Sequence, residues 1–130
     1  MNLLYPVKTK TTPKIIVMID DRKWLSRLES ILDRNVDDPH FDNFQLAQEL
    51  EISERNLFRK VKSNTGMTPQ KFLNHYRMRQ AMLSMQNGKY KTVKETAYSV
   101  GYRNVSYFIR QFTKTFGKKP LSVLKEAGWR

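Results

Sequence analysis

Two short stretches of this sequence place arginines where they could grip the edge of a nucleobase or a phosphate. In the first, Arg55, Phe58, Arg59 and Lys62 fall at i, i+3, i+4 and i+7, so a helix would carry them on one face, opposite Leu57 and Val61. In the second, Phe108, Phe112 and Phe116 have the spacing of a buried stripe. That stripe turns Val105, Ser106, Ile109, Arg110 and Thr113 outward. A guanidinium can donate two parallel hydrogen bonds to a guanine edge, or bind a phosphate without reading sequence. Arg55, near its helix start, is expected at a base, whereas Arg59 suits base or phosphate equally. Phe58 is open between core packing and contact with a thymine methyl. Val105 and Ile109 are odd on a solvated surface and suit thymine methyls; the alternative is partial burial against the neighbouring helix. Lys60, Lys62, Lys114, Lys118 and Lys119, with Thr113 among them, are assigned to phosphates, where charge matters and base identity does not.

Covalent chemistry has little to work with. Cysteine is absent, and the two histidines, His40 and His75, have no spacing that suits a metal. No nucleophile–base pair and no Gly-rich phosphate loop stands out, so the sequence predicts neither an enzyme nor a cofactor, metal or catalytic residue. No segment approaches the roughly 18 apolar residues of a membrane span, and Ile15–Ile19 is too short for a signal-peptide core. A cytoplasmic setting is therefore expected.

Charge is the strongest global signal, and it is unevenly placed. Residues 1–54 hold 7 basic and 10 acidic side chains, a net of −3, whereas residues 55–130 hold 17 and 2, a net of +15; together they give the formal +12. A solvated surface needs charge but not a single sign, so the C-terminal part is built to meet a polyanion. Charge alone also admits a non-specific nucleic-acid binder or a membrane-surface protein. Aromatic residues at core spacing argue against the membrane reading.

The elements that must position these residues are all helical. Residues 1–21 read as a linker or tail, with a lone strand at Ile15–Asp20 as the alternative. A first helix is expected from about Arg22 to Asn35, capped by Asp20 or Asp21 and buried through Trp24, Leu25, Leu28, Ile31 and Leu32. A second begins at Asp42, with Gln45 in capping-box position and Phe44, Leu46, Ala47 and Leu50 inward. Ser53 caps a third, which stops at Gly66. Thr68-Pro69 opens a long fourth, ended by Asn87-Gly88. Thr92 with Glu95 opens a fifth, Val93 to Val100, and the turn Gly101-Tyr102 leads to Asn104 as the cap of a sixth. Pro120 starts a short seventh. The N-termini after Asp42 and Thr92 could also offer N–H groups to phosphates. The predicted domain runs from 22 to 130: a first helix-turn-helix subdomain (22–67), a linker helix (68–87) and a second subdomain (88–130).

The two subdomains repeat one another. Ala47, Leu50, Ile52 and Asn56 correspond to Ala97, Val100, Tyr102 and Ser106 at an offset of 50. Beyond the turn an offset of 51 pairs Leu57 with Phe108, Arg59 with Arg110, Val61 with Phe112, Gly66 with Gly117 and Pro69 with Pro120, so one residue is added near the start of the sixth helix. The fourth helix would span roughly 27 Å at about 1.5 Å per residue. Successive major grooves on one face of B-DNA lie about 34 Å apart, a distance such a rod plus its flanking units could bridge.

Residues 92–124 resemble the C-terminal signature of the AraC/XylS family of bacterial transcription regulators. The resemblance rests on the run from Glu95 through Ala97 to Val100-Gly-Tyr102, on Asn104-x-Ser106-Tyr-Phe-x-Arg110, on Phe112-x-Lys114 and on Gly117-x-x-Pro120. Upstream, Leu46-Ala47, Leu50, Ser53, Leu57-x-Arg59 and Gly66-x-Thr68-Pro69 fit too, as do Arg77-Met78 and Ala81. The resemblance implies a seven-helix, all-α domain with two helix-turn-helix units joined by one long helix. It further implies sequence-specific binding to double-stranded promoter DNA in successive major grooves, and transcription activation, with RNA polymerase a candidate second partner. Its base-contact positions map onto Arg55, Phe58 and Arg59, and onto Val105, Ser106, Ile109 and Arg110. The isolated domain is expected to be monomeric. Phe58 and Ile109 stand where polar residues are common, and Lys119 replaces the usual Ser or Thr before Pro120. The stretch from Trp24 to Phe44 is similar to the lead-in found when such a domain is the output end of a response regulator or hybrid sensor kinase. The chain is therefore expected to be either an excised C-terminal piece, in the hybrid case the cytoplasmic end of a membrane protein, or a short stand-alone member.

Overall fold

The computed structural model describes residues 15–128, with side chains from Arg22 onward. The stretch 1–14, expected as linker or tail, lies outside the described residues. Seven helices follow one another: α1 (Ile15–Asn35), α2 (Asn43–Leu50), α3 (Glu54–Thr65), α4 (Pro69–Gln86), α5 (Val93–Ser99), α6 (Val105–Phe116) and α7 (Pro120–Glu126). No strand occurs among the described residues. The fold is all-α, with two helix-turn-helix pairs, α2–α3 and α5–α6.

Local capping chemistry explains most of the boundaries. The Asp42 carboxylate accepts from the Gln45 N–H at 3.0 Å while the Gln45 side chain accepts from the Asp42 N–H at 3.1 Å, a reciprocal box that satisfies two otherwise orphaned donors. Ser53 and Asn104 do half of this, accepting from the N–H groups of Asn56 at 3.1 Å and Tyr107 at 2.9 Å. Thr92 accepts from Glu95, but the Glu95 carboxylate returns to the Lys91 N–H, one residue outside the usual box. α7 opens on Pro120 with Lys119 at its cap position, which makes no side-chain bond. Lys119→Ser supplies the missing acceptor, and we expect it to stabilise the free protein by about 1 kcal/mol, read as a higher urea midpoint at unchanged slope.

The helices form two compact units, one comprising residues 15–35 and 41–73 and the other residues 36–40 and 74–128. α4 is continuous from the first unit into the second. The first unit buries Leu28, Ile31 and Leu32 of α1 with Leu46, Leu50, Leu57, Val61 and Phe72. The second buries Met78, Ala81, Ala97, Phe108, Phe112 and Leu124 among others.

Three expectations change. α1 starts at Ile15 rather than Arg22, so Asp20 and Asp21 lie within the helix and the run 15–20 is not a strand. No Gly or Pro interrupts residues 15–35, and a single strand would lack a partner. Phe44 is 54 % exposed, and Phe41 at 5 % takes the buried place. At about 100° per residue Leu46, Ala47 and Leu50 make one stripe, and Phe44 falls to its flank. Phe116 is half-buried, its ring 4.8 Å from that of Phe112.

Within each unit the turn repeats bond for bond. Ile52 donates to the Ala47 carbonyl at 3.1 Å and Tyr102 to the Ala97 carbonyl at 2.9 Å, while Glu51 donates to Gln48 and Gly101 to Tyr98. Glu51 and Gly101 both adopt positive φ, 60° and 88°. The caps Ser53 and Asn104 already stand at the longer offset. The added residue is therefore Arg103 in the turn, and Asn56 corresponds to Tyr107 rather than to Ser106.

Candidate nucleic-acid interface

α3 is short and strongly two-sided. Leu57, Val61 and Thr65 are buried, and Arg55, Phe58, Arg59 and Lys62 are exposed. Phe58 keeps 49 % of its surface in solvent, so it is not a core residue. Arg59 donates to the Asn56 side chain at 3.1 Å, which orients its guanidinium along the helix. Lys60 departs from the rest: it is half-buried, with its ammonium 5.1 Å from the centre of the Trp24 ring on α1. A cation held on an indole face is tied to the core side of the unit.

α6 in the second unit divides the expected contacts. Ser106, Arg110 and Lys114 are exposed, while Val105, Ile109 and Thr113 are half-buried. Ile109 packs against the hydrophobic core of its unit, which answers for an apolar side chain at that position without a thymine. The Thr113 hydroxyl donates to the Ile109 carbonyl at 2.8 Å. Lys118 is paired with Glu126 at 2.7 Å, and Lys119 is exposed beside it.

Other cationic and aromatic groups of the second unit do not stand out from sequence. Tyr107 is 42 % exposed, and the Arg110 guanidinium lies 5.7 Å from its ring centre. Tyr98 carries two cations over one ring, Lys94 at 5.7 Å and Arg103 at 5.1 Å, with Arg103 also donating to the Tyr98 carbonyl. The i, i+3 spacing of Tyr107 with Arg110 and the i, i+4 spacing of Lys94 with Tyr98 are the only local signals of these contacts. Arg77, on α4, is buried and donates to the carbonyls of Val36 at 2.6 Å, Val100 at 2.7 Å and Asp38 at 3.0 Å. Burial pushes its pKa down, while Tyr102, Asp38 and Asp37 oppose that shift. Burial likewise raises the Tyr102 phenol, against the pull of Arg77.

Each unit thus presents a short, capped helix with an exposed arginine at equivalent positions, Arg59 and Arg110. A family model described as a helix-turn-helix domain matches residues 46–126, which span both pairs. The chain belongs to the AraC-type helix-turn-helix family of transcription regulators.

Relatives of this AraC-type chain are larger proteins. It is 29 % identical over 110 residues to histidine kinase P4 of Formosa agariphila, a match that covers 85 % of this chain and 8 % of the kinase. It is 33 % identical over 82 residues to the HTH-type transcriptional activator RhaS of Pectobacterium atrosepticum, covering 63 % of this chain and 29 % of RhaS. The chain therefore spans under a third of either relative. Among solved structures, the DNA-binding domain of AdpA, a global transcriptional factor determined in complex with a target DNA, superposes with a TM-score of 0.69 at 24 % identity. That match covers 78 % of this chain and 90 % of the AdpA domain, and it shows a shared fold. Among the described residues no group of His, Cys, Asp or Glu could hold a metal, and no helix is long and apolar enough to cross a membrane.

Proposed function

We propose that this AraC-type domain binds double-stranded promoter DNA sequence-specifically and regulates transcription, with α3 and α6 as recognition helices entering successive major grooves. The observation that carries this reading is the duplicated helix-turn-helix geometry, each copy exposing an arginine on a helix otherwise held by its core. Arg55, Phe58 and Arg59 form the base-reading face of α3, and Ser106 and Arg110 that of α6, with Val105 and Ile109 contributing only their exposed edges. Lys62, Lys114 and Lys119 supply phosphate contacts. Lys60, Lys118 and Thr113 add to these only if DNA displaces their present partners. The RhaS relative favours activation, with RNA polymerase as the second partner of the intact regulator. The isolated domain acts as a monomer in the cytoplasm, and the kinase relative favours its being the output end of a longer signalling protein.

Duplexes selected from a random pool should bind at least about 10³-fold tighter than random DNA. With about six phosphate contacts, affinity should fall on the order of 10³-fold between 50 and 200 mM salt. Fluorescence anisotropy measures both. A selected duplex that binds no better than random DNA, with the salt dependence intact, would leave a purely architectural binder.

A further inference from the structure

Arg77 occupies a place that neither recognition helix explains. It is 5 % exposed, the one charged side chain buried among the described residues, where an arginine costs desolvation that its partners must offset. Three of those partners are backbone carbonyls from two separate segments. Val36 and Asp38 belong to the connector that follows α1, and Val100 ends the first helix of the second helix-turn-helix pair. Carbonyls at a helix C-terminus lack partners within the helix, and a planar fork of donors can serve several at once. Lysine, with a single ammonium, cannot reproduce that reach.

The neighbouring glycine fits the same construction. Gly101 has φ 88°, and a Cβ there would overlap Arg77 Nη1 and stand 2.8 Å from the Val36 carbonyl oxygen. The turn that launches α6 is therefore packed directly on the guanidinium, and the guanidinium on the connector. Residues 36–40 belong to the second unit although they lie between α1 and α2 in sequence.

We propose that Arg77 is a positioning residue for the second recognition helix, fixing the α5–α6 turn, and so the base-facing side of α6, to the connector 36–40. This rests on the DNA-binding reading above. The connector thereby becomes an input: shifting it releases the turn before α6 while leaving the α2–α3 turn untouched. A shift confined to the connector would then tune one reader and not the other.

The full 130-residue chain tests this with Arg77→Lys and, independently, Gly101→Ala. In the free protein, amide hydrogen exchange should rise at least tenfold in both 36–40 and 101–104 for Arg77→Lys, with α2 and α3 within twofold of wild type. On a selected duplex, discrimination at the base pair assigned to α6 by Arg110→Ala should fall about tenfold, while that assigned to α3 by Arg55→Ala holds. Gly101→Ala should give the same pattern; if neither variant folds, exchange of the wild-type chain in rising sub-denaturing urea carries the test, with 36–40 and 101–104 opening together and separately from α2 and α3. Unchanged exchange, a rise spread over both units, or equal losses at both base pairs overturns the proposal. A wild-type chain with no base preference at all sinks the DNA reading instead, and the exchange pattern still decides whether the clamp exists.

Discussion

Phe108→Ala should cost the second unit about 3–5 kcal/mol, the upper end of what removing one side chain takes from a core. Phe108 is wholly buried, and its ring lies 5.6 Å from that of Tyr102 and 5.8 Å from that of Phe112. Removing it leaves a cavity under the turn and under the first half of α6 at once. A small domain holds only about 5–15 kcal/mol in total, so the variant should lose much of its cooperative melt at 37 °C. Urea denaturation followed by circular dichroism measures the loss. A cost below about 1 kcal/mol would mean that the aromatic stripe of α6 is not the core of its unit.

Arg110→Ala should leave stability nearly unchanged while removing about 1–3 kcal/mol of discrimination, roughly 5- to 150-fold, at one base pair. Arg110 is exposed, and its contact with the Tyr107 ring is a modest surface interaction. Arg55→Ala should do the same at a different base pair, read by α3. Lys114→Ala provides the contrast: affinity for all duplexes falls alike, and the salt slope drops by about one. A base-pair substitution scan by anisotropy separates the patterns. Uniform weakening by both arginine variants would assign them to phosphates and relocate specificity to the shape of the DNA.

Much of this architecture can be read from nearby residues because capping is local. Asp42 with Gln45, Ser53, Thr92 with Glu95, Asn104, Gly66 and Gly117 each act within three or four positions of themselves. Helix starts and stops follow from the order of residues, as does the repeat. The outward arginines follow from the 3.6-residue period once the buried stripe is known. Errors arise where period alone cannot choose a face. Phe44 and Phe41 are equally apolar, and only the direction in which α2 meets its neighbours decides which one is buried. Val105 and Ile109 differ: at about 100° per residue Val105 falls within the α6 stripe and Ile109 about 20° beyond its edge, so the period itself favours the partial burial that the structure shows for both. The start of α1 is not legible from residue order, because a short apolar run carries no period of its own.

What the sequence settled unaided is the class of molecule: two capped helix-turn-helix pairs, a basic C-terminal part and an arginine at matching places in each pair. Those properties depend on interactions spanning a few residues or on summed charge, and neither needs a partner far along the chain. Tertiary structure alone decided that Lys60 rests on Trp24, that Ile109 serves the core, and that residues 36–40 join the second unit. It also turned Arg77 from an ordinary basic residue on a long helix into a buried clamp. The bonds of that clamp reach 23 to 41 positions along the chain, and its acceptors are backbone carbonyls, which every residue type carries alike and which therefore leave no trace in the order of side chains.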